Sequence, residues 1–89
     1  MRFTWSETKR KLNLDQHGLD FVDAPRAFDG PTFTYQDDRF EYAEQRFVTL
    51  GLLDDLLVSI VHTESPHVIR VISLRKATKN EQAIFFKNL

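Results

Sequence analysis

The sequence predicts a single α+β domain: two N-terminal helices, a four-stranded antiparallel sheet and a C-terminal helix. Three observations lead there. Helix-start signatures stand at Thr4-Trp5-Ser6-Glu7 and Thr78-Lys79-Asn80-Glu81, each a hydroxyl followed three residues later by Glu. Between them lie runs rich in Val, Ile, Leu, Thr and Phe, separated by Gly, Pro and Asp turns, as antiparallel strands require. At 89 residues the chain can bury one core but not two.

Each element follows in order. The first helix opens at the Thr4 box and runs to about Gln16, where Gly18 suits the left-handed residue that stops it. Phe21, Ala24 and Phe28 recur at helical spacing and predict a second, short helix. With Asp23 as N-cap, Pro25 falls in its first turn, where a missing N–H is tolerated. Gly30-Pro31 ends that helix, and Thr32 to Tyr35 form a short edge strand. Asp37 to Glu44 is a charged, aromatic-containing loop. Arg46–Leu50 and Leu56–Thr63 are stronger strands, joined as a hairpin through Gly51 and Asp54-Asp55. A second hairpin turns at Ser65-Pro66 into a fourth strand, Val68 to Leu74. The Thr78 box then opens a helix carrying Ala83, Ile84, Phe85 and Leu89. Sheets of this class often bury one face under helices and leave the other available.

Composition narrows the function. The hydrophobic fraction is 42% with eight Phe, enough for a core, and there is no cysteine, which excludes disulfides and Cys-based zinc sites. The N-terminus lacks an apolar signal region, and the longest aliphatic run, Leu56 to Val61, is too short to span a bilayer. A soluble cytoplasmic protein is expected, with no membrane association. The net charge of −1 hides a partition: residues 2–11 sum to +3, residues 15–64 to −8 and residues 70–87 to +4. Arg70, Arg75, Lys76 and Lys79 stand together with no acid among them, which points to a phosphate-bearing partner. An acidic middle between basic ends binds RNA only if the ends converge in space. A solvated surface with chance clustering explains the same charges.

The ordered set Phe3-x-Trp5-x-Glu7-x-Lys9, Asn13, His17-Gly18, Phe21, Phe28-Asp29-x-Pro31, Glu44-x-Arg46-Phe47, Gly51, His62-Thr63-Glu64, Ile69-Arg70, Ile72-Ser73-x-Arg75-Lys76-Ala77-Thr78 and Glu81 resembles BrnT-type toxins. These are the toxins of BrnT/BrnA type II toxin–antitoxin modules, and the similarity spans roughly residues 3 to 85. The resemblance implies a RelE-like ribonuclease fold and metal-independent RNA cleavage that halts translation, with no cofactor. It also implies neutralisation by a BrnA-like ribbon-helix-helix antitoxin, whose complex represses its own promoter. Gln16, Leu74, Asn80, Gln82, Ala83 and Phe85 depart from the family pattern and reduce its basic character. They keep a second reading open, a catalytically weak binding module that serves as antitoxin partner and co-repressor.

Metal-free cleavage uses the substrate's 2′-hydroxyl as nucleophile, so the protein must take that proton and stabilise charge on the phosphate. Arg46, Arg70 and Arg75 are the candidates for the second task, since guanidinium binds two phosphate oxygens and keeps its charge. Lys76, Lys79 and Lys9 would support RNA binding. Arg70 interrupts an apolar strand, and its structural alternative is an ion pair with Glu44 or Glu64. Replacing Arg70 and Arg75 with Ala is expected to abolish cutting and leave the fold intact. His62 is the candidate acid/base, titrating nearest neutrality, with Glu64 as the alternative; a strand His is also commonly structural. His17 suits a helix C-terminus, and His67 has no assigned role. The three His lack metal-ligand spacing, so no metal site is expected. Trp5, Phe3, Phe21 and Phe28 read as core, and core packing is also the safer reading for Phe33. Phe33, Tyr35, Phe40 and Tyr42 could instead stack bases or grip a partner. The acidic residues Asp37, Asp38, Glu41, Asp54 and Asp55 read as a solvated surface that could meet a basic antitoxin segment.

Overall fold

The computed structural model describes residues 1–39 and 41–89; Phe40, one of the candidate stacking aromatics, lies outside the described residues. The elements are β1 (Arg2–Thr4), α1 (Glu7–His17), a 3-10 turn (Phe21–Asp23), α2 (Ala24–Phe28), β2 (Thr32–Asp37), β3 (Arg46–Leu53), β4 (Leu56–Ser65), β5 (Val68–Lys76) and α3 (Lys79–Lys87). They build one five-stranded sheet in the order β1-β5-β4-β3-β2. The four expected strands pair antiparallel, each extending past its expected end. The fifth, β1, runs parallel to β5 with Arg2, Phe3 and Thr4 opposite Val68, Ile69 and Arg70. The expectation of a four-stranded, wholly antiparallel sheet is corrected to five strands and a mixed sheet.

That strand also displaces the first helix start. Thr4 ends β1, so Ser6 is the N-cap instead, its hydroxyl accepting from the Lys9 amide at 3.3 Å. Glu7 does not close a capping box; it accepts from the Trp5 indole at 3.0 Å and from Arg10 at 3.1 Å. At the other end of the chain the expected box forms. Glu81 N donates to Thr78 Oγ1 at 3.2 Å, and Thr78 N donates to Glu81 Oε1 at 2.9 Å. Gly18 ends α1 at φ 69°, as expected of a left-handed cap. The second helix splits into the 3-10 turn, capped by Asp20, and the five-residue α2 with Pro25 in its first turn.

The β3–β4 hairpin turns at Asp54-Asp55, with Asp54 at φ 55°. Gly51 lies within β3 and not in the turn. A Cβ there would stand 3.0 Å from the Ala27 carbonyl oxygen, so glycine lets α2 approach the strand closely.

Both sheet faces are covered, and the expectation of one open face is thereby corrected. On one face Phe21, Ala24, Ala27, Leu53, Val58, Ile60, Val71 and Leu74 form a buried cluster, with Phe3, Trp5 and Phe28 packed against it. The core reading of those aromatics holds. On the other face α3 brings Phe85 onto Val48, Leu50, Leu57, Val61 and Ala77, with Phe33 and Tyr35 alongside. A register shift between Val61 and His62 marks a bulge against β5.

α1 seals the free edge of β5. Beyond Arg70 that strand has no outer strand partner among the described residues, and Asn13 substitutes for one. Its amide donates to the Leu74 carbonyl at 2.8 Å and its oxygen accepts from the Leu74 N–H at 3.1 Å. A third bond reaches the Leu19 carbonyl at 2.9 Å. One buried side chain thus does what a strand's peptide group would do. Among the described residues no helix is long and apolar enough to cross a membrane.

Candidate functional site

Strand register assembles an arginine row at one end of the sheet. Arg46 opens β3 opposite Asp37, and Arg70 of β5 stands opposite Thr63 of β4. Phe47 pairs with His62, so the next residue, Thr63, is level with Arg46. Arg46 and Arg70 therefore stand two strands apart in one row, their Cα atoms about 10 Å from each other. They share the α3 side of the sheet, because Phe47 and Val71 alternate to the other side with His62. Thr4 of β1 is Arg70's other neighbour, so short hydroxyl side chains flank this arginine on both strands. Its guanidinium bonds the Glu44 carboxylate. Of the two structural alternatives read for Arg70, the partner is Glu44. Both side chains are more than 40% exposed, and exposed pairs of this kind contribute about 0–1 kcal/mol, so a stronger anion can displace Glu44.

A pocket of about 340 Å³ opens beside that row, lined by Asp37, Asp38, Tyr42, Glu44 and Arg46 among others. Its walls are fixed from below by Asp37, whose side chain is 1% exposed. Arg39 grips that carboxylate with two bonds of 2.9 and 3.0 Å, and Tyr42 Oη donates to it at 3.1 Å. The Arg39 bond holds the Asp37 carboxyl below its ordinary range against the opposing pull of burial, and Asp37 in turn raises Arg39. Arg46 lies over the Tyr42 ring, its guanidinium carbon 4.2 Å from the centroid. Arg46 Nε is buried and meets no acceptor among the described residues.

Arg75 is a different kind of residue. It stands five residues from Arg70 along β5, about 16 Å away, and binds Glu81 through bonds of 2.8 and 3.0 Å. Glu81 also accepts from Ser59 Oγ at 3.1 Å. Burial works to raise the Glu81 carboxyl, but Arg75, the Thr78 amide and Ser59 together hold it low. The guanidinium is committed to a buried carboxylate. The double Ala replacement expected to spare the fold removes that partner, so only the Arg70 change is a clean test.

His62 and Glu64 lie across the sheet from the arginine row. His62 is fully buried, with Phe28 edge-on at 5.4 Å and Phe47 stacked at 6.1 Å. Its Nε2 is 2.7 Å from Thr49 Oγ1, which is itself 2.7 Å from Thr34 Oγ1. Nδ1 is buried and has no hydrogen-bond partner among the described residues, lying 3.7 Å from Glu64 Oε1. Burial pushes the imidazole below its ordinary range, with Glu64 and the Thr63 backbone opposing. An imidazole with no exposed atom cannot touch RNA, and its placement is that of a core histidine.

The lysines are exposed: Lys76 ends β5, Lys79 opens α3 and Lys9 lies in the first turn of α1. The two basic ends do meet along β5. β1 pairs with it directly, and Lys9 shares a groove with Ile72 and Ser73. Among the described residues no group of three or more His, Asp or Glu could hold a metal ion. The structure thus brings Arg46 and Arg70 together, sets Arg75 apart and turns His62 and Glu64 away. Glu44, read from the sequence as part of the Glu44-x-Arg46-Phe47 pattern and as a counter-ion for Arg70 but not as a candidate site residue, is the acid that the fold sets against the row. Its position two residues before Arg46 was the available signal.

No curated protein matches the chain. A family model described as the ribonuclease toxin BrnT of type II toxin–antitoxin systems matches residues 5–81. That span takes in α1, all of β2 to β5, the arginine row and the Thr78–Glu81 cap, so this chain belongs to the BrnT family of ribonuclease toxins.

Proposed function

We propose that this chain is a metal-independent endoribonuclease that cuts RNA in the cytoplasm and so blocks translation. A BrnA-like ribbon-helix-helix antitoxin neutralises it, and the joint complex represses its promoter. The observation that carries the reading is the Arg46–Thr63–Arg70 row with Glu44 bonded to its outer member. Arg70 binds the scissile phosphate, replacing Glu44 as anion. Its fork matches two phosphate oxygens and stabilises the added charge of the pentacoordinate state. Glu44, released beside the phosphate, takes the 2′-hydroxyl proton as the 2′-oxygen bonds phosphorus. The P–O5′ bond breaks and the leaving 5′-oxygen takes a proton from water, giving a 2′,3′-cyclic phosphate and a 5′-hydroxyl end. Lys76, Lys79 and Lys9 hold the flanking backbone, while Arg75 serves the fold through Glu81.

The test is cleavage of a mixed-sequence RNA in EDTA by wild type and by Arg70→Ala, each checked by thermal melting. Cutting by the wild type and a loss of at least about a hundredfold in the variant are expected, with melting temperatures alike. Equal cutting by a folded Arg70→Ala protein would remove Arg70 from the site. A second reading, the weak binding module, is favoured by one observation: Arg39, Arg70 and Arg75 each already hold a carboxylate of the same chain. Silence of folded wild type on free RNA, with retained antitoxin binding, selects it.

A further inference from the structure

We infer that the outer edge of β2, Thr32–Asp37, is the docking strand for the antitoxin, which adds to the sheet an extended segment of alternating basic and apolar residues. The inference rests on the toxin–antitoxin pairing of the family. It deepens the proposed neutralisation by naming its surface, and it does not depend on RNA cutting. Its first support is a contrast between two edges. β5, uncovered beyond Arg70, is sealed by Asn13 and α1. β2 forms the other end of the sheet and pairs with β3 at all 6 of its residues without a register shift. Among the described residues its backbone bonds to no other element. Within the strand stand no Lys, no Pro and no bulge, the devices by which native proteins blunt an edge. It presents a row of outward peptide groups about 20 Å long, the template on which an extended segment pairs.

The second support is charge, which decides the occupant. Residues 29–45 hold Asp29, Asp37, Asp38, Glu41 and Glu44 against a single base, Arg39. Asp29 and Asp38 are exposed close before and just after the strand. Asp38 and Glu44 carry the acidic lining on into the pocket beside the arginine row. Such an edge repels RNA, whose binding is driven by bases that neutralise phosphate. A second copy pairing antiparallel would bring the Asp29 end of one chain to the Asp38 end of the other, like against like. A basic segment meets acid at both ends.

The side chains of β2 set the alternation. On the α3 side Phe33 and Tyr35 are half-buried, their rings 6.1 Å apart, and they form an apolar shelf that an added strand extends. On the opposite side Thr32, Thr34 and Gln36 are exposed, and there the partner's basic residues belong. Successive strand residues face opposite sides, so the partner alternates. Asp37 stands opposite Arg46. A segment running past Asp37 therefore lies two strand spacings, about 10 Å, from Arg46, where it obstructs RNA at the row.

The experiment titrates the full chain into a fluorescent peptide of four Lys-Val repeats and into two analogues. One analogue is N-methylated along its backbone, which keeps the side chains and removes the donors; the other carries Glu in place of each Lys. Anisotropy is expected to show the basic peptide binding at least about tenfold tighter than either analogue. Amide resonances of Thr32–Asp37 should shift and their exchange slow, while amides around Phe86, the exposed apolar residue of α3, stay unmoved. Asp38→Lys should weaken the basic peptide about fivefold and melt like the wild type. Resonance mapping on the wild type decides the matter should that variant fail to fold. Absence of binding, equal binding of the methylated or the acidic analogue, shifts centred on Phe86, or unchanged affinity in folded Asp38→Lys would each overturn the proposal. So would a dimer of the chain alone in sedimentation with the Thr32–Asp37 amides protected, which assigns the edge to a second copy. RNA cutting enters none of these readouts. Their failure leaves the ribonuclease reading standing, and a wild type that cuts no RNA leaves the docking strand standing.

Discussion

Arg70 and Arg75 carry the same guanidinium, yet their surroundings make them opposites under mutation. Glu44 can turn to water when Arg70 is removed, whereas Glu81 is buried and would be left charged and unpaired. Arg75→Ala should therefore destabilise the protein by about 3 kcal/mol, read as a lower urea midpoint at unchanged m-value. Glu81→Gln in the same chain should recover part of that loss. His62 makes a second prediction at this scale, through pH. Its folded pKa lies below that of the unfolded chain, where an imidazole titrates near 6.5. Above that pH both states are neutral and the fold has its full stability. As pH falls below about 6.5 the unfolded chain takes up a proton that the folded chain refuses, so stability drops until the folded pKa is reached. Urea titrations at stepped pH should show this decline in the wild type and its reduction in His62→Gln. Sequence reading saw a titratable strand residue; burial between Phe28 and Phe47 depends on which strand face the register selects, and no residue near His62 announces it.

Elements were legible to the extent that their signals are local. The Thr78–Glu81 cap, the Gly18 stop and the Asp54-Asp55 turn each rest on a few adjacent residues, and each forms as read. β1 was not legible, because three residues cannot display alternation and the strand they pair with lies more than sixty positions away. The same distance hid Asn13, which looks like a poor helix residue until β5 stands beside it. Asn13→Ala removes three hydrogen bonds and leaves the Leu74 N–H at an uncovered edge. A loss of about 2–3 kcal/mol is expected. Hydrogen exchange offers the sharper check: the Leu74 amide should lose protection while amides of β3 keep theirs. Uniform loss across the sheet would mean that α1 docking is inseparable from global folding.

At the scale of the whole molecule the fold is organised around one strand. β5 lies between β1 and β4, receives α1 through Asn13, carries Arg70 and Arg75, and leads into α3. Deleting everything after Pro66 removes the partner that β1 has among the described residues, the strand against which α1 docks, and the α3 cover of one apolar face. Such a fragment should show no cooperative thermal transition, and a folded fragment with dispersed amide resonances would contradict this centrality. The arginine row was half legible: the residues were visible, but their union across strands required the register, and the loop that supplies Glu44 follows from tertiary packing alone.

The late position of β5 in the chain has a consequence for synthesis. Ribosomes release a protein from its N-terminus onward, so Arg46 and Glu44 emerge well before Arg70, and β1 must wait for more than sixty further residues to find its neighbour. A nascent chain short of residue 76 has neither a closed sheet nor an assembled arginine row. On the proposed reading, each unfinished copy lacks the row that would hold the phosphate, and a new copy becomes competent to cut only after β5 is complete.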